Sequence, residues 1–156
     1  MDVHTPLDVI GAPLGNLATF ELRGRTLERV PIESDDLAKR VLRLQAARRT
    51  FGIRFEDGKR LRDGDVVYAD EVCVVAVEVL PDDVLVCAPQ SIPAALELAH
   101  AIGNRHLEMQ VHGDRLVLRY ERLVEDLVRE QGVPYTREHR RLSTPFRHAH
   151  APHGHE

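Results

Sequence analysis

Apolar positions along this chain follow two patterns, and the change between them falls near residue 70. Before it, short apolar runs alternate with turn residues, the signature of short strands. Asp8-Val-Ile-Gly and Leu14-Gly-Asn-Leu carry turn signals, and Ala18-Thr-Phe-Glu-Leu alternates weakly. Phe51-Gly-Ile-Arg-Phe, Glu56-Asp-Gly-Lys and Arg60-Leu-Arg read together as a hairpin, because Asp57-Gly58 supplies the positive backbone angles a tight turn needs. Asp63-Gly64-Asp65 marks a second turn before a strand over Val66–Tyr68. Between them, Leu37, Val41 and Leu44 suit a helix within Asp36–Arg49, although the basic, strand-flanked setting leaves that assignment open. The expected result is a small β-rich domain over residues 1–70.

From Glu71 the pattern lengthens. Val72–Leu80 is β-branched and apolar, a buried strand, with Pro81-Asp-Asp as punctuation and Val84-Leu-Val86 continuing extended. Ser91 can cap a helix in which Ile92, Ala95, Leu96, Ala99 and Ile102 share one face, and Gly103 is placed to end it. His106-Leu-Glu-Met-Gln-Val-His112 alternates strictly, putting Leu107, Met109 and Val111 on one side and His106, Glu108, Gln110 and His112 on the other. Gly113-Asp114 turns the chain into Arg115–Tyr120. A second amphipathic helix follows over Glu121–Gln131, stopped by Gly132 and Pro134, and Val133–Glu138 can close the sheet. The order β-α-β-β-α-β is the ferredoxin-like arrangement, assigned to residues 71–140. The fold class is therefore α+β, ending in a flexible histidine-rich tail over 141–156. Two small domains have little core each, so self-association through the open sheet face or an edge is expected.

Composition narrows the function. A net charge of -4 argues against nucleic acid as a partner. No apolar run approaches the ~20 residues that span a bilayer, and Met1-Asp-Val-His-Thr-Pro lacks the features of an export signal. A cytoplasmic protein with no membrane contact is the expectation. Lys39, Arg40, Arg43, Arg48 and Arg49 form one local basic stretch, read as a solvated face rather than an anion site. Cys73 and Cys87 match no zinc spacing and read as buried free thiols.

Histidine carries the chemistry that remains. The end of the chain, His148-Ala-His150-Ala-Pro-His153-Gly-His155-Glu156, offers four imidazoles in nine residues. Imidazole suits Ni(II), Zn(II) and Cu(II), and flexible spacing lets one tail, or two, wrap a metal without a preformed cage. A solvated tail with incidental histidines and a purification tag are the competing explanations; the alternating spacing speaks against the tag. The second candidate is His106 in Gly103-Asn104-Arg105-His106, which joins helix to strand. Near a two-fold axis such a residue meets its own copy, and two imidazoles make half a metal site. His100, His112, His4 and His139 rank below it.

Gly103-Asn104-Arg105-His106 resembles the signature of the urease accessory protein E family, nickel metallochaperones of urease maturation. Phe51-Gly-Ile, Asp63-Gly64-Asp65, Pro81-Asp-Asp-Val-Leu and Pro145-Phe146 before the histidine-rich end agree with it, from about Gly52 onward. The resemblance implies a homodimer holding one nickel between two copies of His106, with His148, His150, His153 and His155 available as further ligands. It also implies an N-terminal module that docks on the urease apoprotein assembly, and an accessory GTPase as partner. Tyr120-Glu121-Arg122 and Ala101 stand where some members carry extra histidines, which puts secondary metal sites in doubt.

Rival classes are weaker. An enzyme built on His106 with Glu108 or Asp114 lacks a nucleophile or fixed metal motif. An RNA-binding sheet would present stacking aromatics, and the chain has only three tyrosines, four phenylalanines and no tryptophan. A general zinc, copper or nickel buffer unrelated to urease uses the same ligands and is the alternative to a urease-dedicated carrier.

Overall fold

The computed structural model describes residues 8–56 and 58–146. The described residues divide into two compact units, the first running to Leu80 with Arg141–Pro145, the second comprising Pro81–Arg140 with Phe146. Both are of mixed or β-rich character, and together they make an α+β protein.

The first unit holds two sheets. One has the order β1 (Asp8–Ile10), β5 (Thr50–Arg54), β4 (Val41–Gln45); the other has β2 (Gly15–Asn16), β6 (Asp65–Ala69), β7 (Cys73–Val79), β3 (Thr26–Ile32). Strand β7 is apolar at nearly every position because both its faces are covered. Val75, Val77 and Val79 join the main core with Phe51, Ile53, Leu37 and Leu44. Val74 and Ala76 face the other way, against Leu17, Phe20 and Leu22. Strand β3 carries Pro31, which a sheet tolerates on an edge strand, and β3 is the edge.

Four expectations change here. The Asp36–Arg49 segment is not a helix: a 3-10 turn over Ser34–Ala38 leads into β4, where half-buried Leu42 and buried Leu44 alternate with exposed neighbours. Leu37, Val41 and Leu44 also satisfy helical spacing, so strand pairing with β5 decided between two patterns the residues permit. Strand β5 therefore pairs with β4, and not with Arg60-Leu-Arg, which forms no strand although Leu61 is buried. Ala18–Leu22 is likewise not a strand. Most consequential is Val72–Leu80, expected to open the second domain. Strand β7 instead aligns with β3 over seven residue pairs and with β6 on its other side, so the boundary falls after Leu80 rather than near residue 70.

The second unit opens with β8 (Asp82–Cys87) and continues through α1 (Ile92–Asn104), β9 (Met109–His112), β10 (Arg115–Arg119), α2 (Arg122–Glu130) and β11 (Tyr135–Arg140). Its sheet has the order β11-β8-β10-β9, every pair antiparallel. The Ser91 hydroxyl caps α1 by accepting from the Ala94 N–H at 3.3 Å, and Pro93 sits in the first turn, where its missing N–H costs nothing. Leu98 and Ile102 from α1 and Val124, Leu127 and Val128 from α2 pack on Leu85, Cys87, Leu116 and Leu118 of one sheet face. The opposite face is not bare. Val84 and Val117 on it are fully buried, and Gln110 and Asp82 nearly so.

The segment after β11 packs as well. Leu142 is 1% and Phe146 5% exposed, and Arg141 reaches Asp63 and Glu78 within the first unit at 3.4 and 3.3 Å. The expected tail from residue 141 thus loses its first six residues to the folded body. Two apolar anchors four apart are too few to register as a period.

One turn lends itself to test. Between β6 and β7 the Asp70 carboxylate accepts from the backbone N–H groups of Val72 and Cys73 at 2.8 and 2.7 Å and from the Tyr68 hydroxyl at 2.9 Å. These donors, the backbone pair foremost, hold its pKa down to about 2. A carboxylate depressed in the folded state adds stability above its unfolded value near 4, and that contribution fades as pH falls through about 2. Asp70→Asn should unfold at lower temperature than wild type at pH 7, with the gap closing between about pH 4 and 2. Thermal melts across that range check it; a gap constant down to pH 2 would remove the carboxylate from the account.

Candidate metal site

Helix α1 ends in a way its glycine does not explain. Gly103 lies inside the helix, its φ is not positive, and a Cβ there would meet nothing within 4 Å. The terminator is His106. The Leu107 N–H donates to the Ile102 carbonyl at 3.2 Å and the His106 N–H to the Gly103 carbonyl at 3.0 Å. That pair of bonds is a Schellman motif, and His106 occupies its left-handed position with φ +54°. Leu107 folds back among the apolar groups that include Ile102, the contact that usually accompanies the motif.

His106 therefore does not begin a strand, as alternation suggested; β9 starts only at Met109. Its side chain is exposed, at the junction between helix and sheet edge. Glycine is the ordinary occupant of such a position because a Cβ there crowds the carbonyl. Histidine adopts it more readily than branched residues do, but still at a cost. Strain retained by a residue with ligand chemistry is a pointer to function.

The neighbouring groups are ordered around that junction. One turn back, the Asn104 amide nitrogen lies 2.9 Å from His100 Nε2, and an Arg105 N–H donates to the Ala101 carbonyl at 3.3 Å. His112 Nε2 sits 2.8 Å from the Gln110 side-chain oxygen, and His139 is exposed on β11 opposite Asp83. Among the described residues no group of three or more His, Cys, Asp or Glu gathers in a way that could hold a metal ion. His148, His150, His153 and His155 lie outside the described residues.

The cysteines sit apart from this junction. Both are free thiols, Cys87 fully buried in the second unit and Cys73 half-buried in the first. Burial pushes the Cys87 thiol up to about 11 and raises that of Cys73, so neither offers the thiolate that binds soft metals. In the basic stretch, Lys39 pairs with Asp36 at 2.7 Å and the Arg49 guanidinium lies 4.3 Å from the Tyr68 ring centre.

A feature that sequence pattern did not single out is the outward face of α1. Ile92 is 77% and Leu96 64% exposed, and Gly103 is exposed further along the helix toward His106, while Ala99 between them packs partly on the core. The signal was present, since Ile92, Leu96 and Ala99 recur at helical spacing, but it was absorbed into the core face.

Fold and site define a two-domain α+β protein that holds one exposed histidine in a strained helix-terminating turn. Residues 10–80 match the family described as UreE urease accessory protein, N-terminal domain, and residues 82–156 match its C-terminal domain. The chain is similar to the urease accessory protein UreE of Bacillus sp. (strain TB-90), 41% identical over 86% of this chain and 91% of the relative. Similar too are the proteins of that name from Geobacillus kaustophilus, 40% identical over 90% and 95% of the two chains, and Staphylococcus carnosus, 36% identical over 90% and 95%. The chain belongs to the UreE urease accessory protein family. Its two matched domains meet where β7 ends and β8 begins.

The strained turn has a measurable consequence. His106→Gly should stabilise the metal-free protein by about 0.5–1 kcal/mol, because relief of the left-handed penalty exceeds the added chain entropy of glycine. Urea unfolding of the two forms checks this. A destabilised glycine variant would show that the imidazole, and not the backbone, holds the turn.

Proposed function

We propose that this protein is a metallochaperone that carries Ni(II) as cargo and delivers it to the urease apoprotein during assembly of the urease active site, with an accessory GTPase as partner. The observation that carries the proposal is His106, exposed and held in a left-handed turn where glycine would be favoured, in a chain whose family is named for urease maturation. The second unit is read as a ferredoxin-like domain, supported by its β-α-β-β-α-β order and by the sheet order β11-β8-β10-β9.

In this account two copies pair so that their His106 side chains face each other across a two-fold axis and share one nickel. Exposed Ile92 and Leu96 on α1, with a glycine that has open space beside it further along the helix, support α1 as the contact surface. On the sheet face first expected to serve, Val84 and Val117 are already fully buried. Tail histidines His148, His150, His153 and His155 supply further ligands, and the tail passes the metal on. Imidazoles in few fixed positions hold a borderline cation without enclosing it, which suits release. Zn(II) and Cu(II) compete for the same donors. The protein works in the cytoplasm; among the described residues no helix is long and apolar enough to cross a membrane.

Calorimetric titration with nickel tests the ligand assignment. His106→Ala in a chain lacking residues 147–156 should bind nickel at least about tenfold more weakly than wild type. Leu96→Asp should shift the protein to monomer in light scattering and weaken nickel binding alongside. Wild-type affinity in the His106→Ala tail-less form would sink the assignment, and normal urease activation at limiting nickel in cells without this protein would sink the delivery role.

A further inference from the structure

The basic stretch of the sequence gathers along one sheet edge of the first unit. Residues 39–62 hold nine lysines and arginines but only two acidic residues, Glu56 and Asp57, in a chain whose net charge is -4. Strand β4 runs through this stretch as an outer strand of its sheet, paired with β5 alone. Arg40 precedes it, Arg43 sits at its centre, and Arg48 and Arg49 follow it, all exposed. Lys39 pairs with Asp36, and Arg49 approaches Asp8 at 3.9 Å. Arg43, Arg48 and Arg54 make no ion pair among the described residues.

Backbone geometry leaves this edge open. The Phe55 N–H donates to the Arg40 carbonyl, and the Ala46 N–H to the Arg49 carbonyl, both at 2.9 Å. In an antiparallel ladder the hydrogen-bonded positions alternate. Leu42 and Leu44 therefore bond to β5, while Val41, Arg43 and Gln45 turn their N–H and carbonyl groups toward the open edge. The same three residues carry exposed side chains, on the face away from Leu42 and Leu44. Arg43 lies opposite Gly52, and Val41, 70% exposed, lies opposite Arg54. Such an edge accepts another strand unless its side chains discourage it. A second copy is discouraged, because β4 paired with itself sets like charges against each other. An acidic strand is favoured by the same groups.

We propose that the β4 edge is a docking site for an extended acidic segment of a partner protein, which adds to the sheet as a further strand. Its backbone meets the outward groups of Val41, Arg43 and Gln45. Its alternate side chains fall on the exposed face, an apolar one beside Val41 and a carboxylate beside Arg43. Arg48, past the end of β4, takes a further carboxylate. The site uses neither histidine nor metal, so it stands or falls apart from the nickel reading.

The probe is a fluorescein-labelled synthetic peptide of about seven residues, glutamates with interspersed valines, long enough to cover β4. Fluorescence anisotropy on the whole protein should show saturable binding that weakens as salt rises. Arg43→Glu should weaken it about fivefold or more, since a cross-strand attraction becomes a repulsion. Val41→Pro keeps every charge and removes an N–H that faces the open edge, leaving the pairing with β5 intact. It should weaken binding about threefold. The same peptide N-methylated at every residue keeps its charge but donates no backbone hydrogen bond, and should bind wild type at least about tenfold more weakly. Circular dichroism shows whether each variant is folded; the N-methylated peptide carries the backbone test if Val41→Pro unfolds. Absence of saturable binding overturns the proposal, as does wild-type affinity in Arg43→Glu. Equal affinity for the N-methylated peptide, for oligouridylate or for vesicles of anionic lipid would show a basic patch without strand docking, and overturns it too.

Discussion

The way α1 stops decides where this protein can meet a metal. Leu107 returns to the core beside Ile102, and that apolar contact can be made only if the residue before it turns left-handed. His106 is that residue. Its Cα is fixed by two backbone hydrogen bonds and a packed neighbour, while its imidazole is left in solvent. A glycine would close the same turn with less strain, so the chain gives up stability at the one position where a donor group is presented.

Much of the second unit was legible because its elements are local and amphipathic. Ser91 announced the start of α1, and Leu123, Val124, Leu127 and Val128 announced α2, whose last three apolar residues are buried while Leu123 is not. The end of α1 was misjudged for a physical reason: Gly103 is the residue type that favours such a stop, yet the helix runs past it to Asn104. The expected strand from His106 lost its first three residues to the same turn, since Leu107 satisfies alternation and the helix-capping contact equally well.

The first unit was less legible, and there the deciding interactions are distant in sequence. Strand β7 is apolar on both faces, so nothing in Val72–Leu80 says which domain it serves; its pairing with β3, more than forty positions earlier, settles it. Strand β3 carries Pro31, which a strand tolerates at a sheet edge, and its partner β7 lies far along the chain. Leu142 and Phe146 are isolated apolar residues in a polar stretch, and their burial follows from contacts no local pattern encodes. Phe146 is held there against Arg119, whose guanidinium carbon lies 4.8 Å from the ring centre.

In the proposed carrier a fixed donor, His106, is joined by the histidines of the chain's end, and nickel coordination tests both. X-ray absorption at the nickel edge, recorded on the loaded full chain and on a chain ending at residue 146, tests this most directly. The account predicts imidazole scattering in both samples, with fewer imidazoles per nickel and more oxygen in the shortened chain. Identical spectra from the two, or a shell of oxygen alone in either, would contradict it.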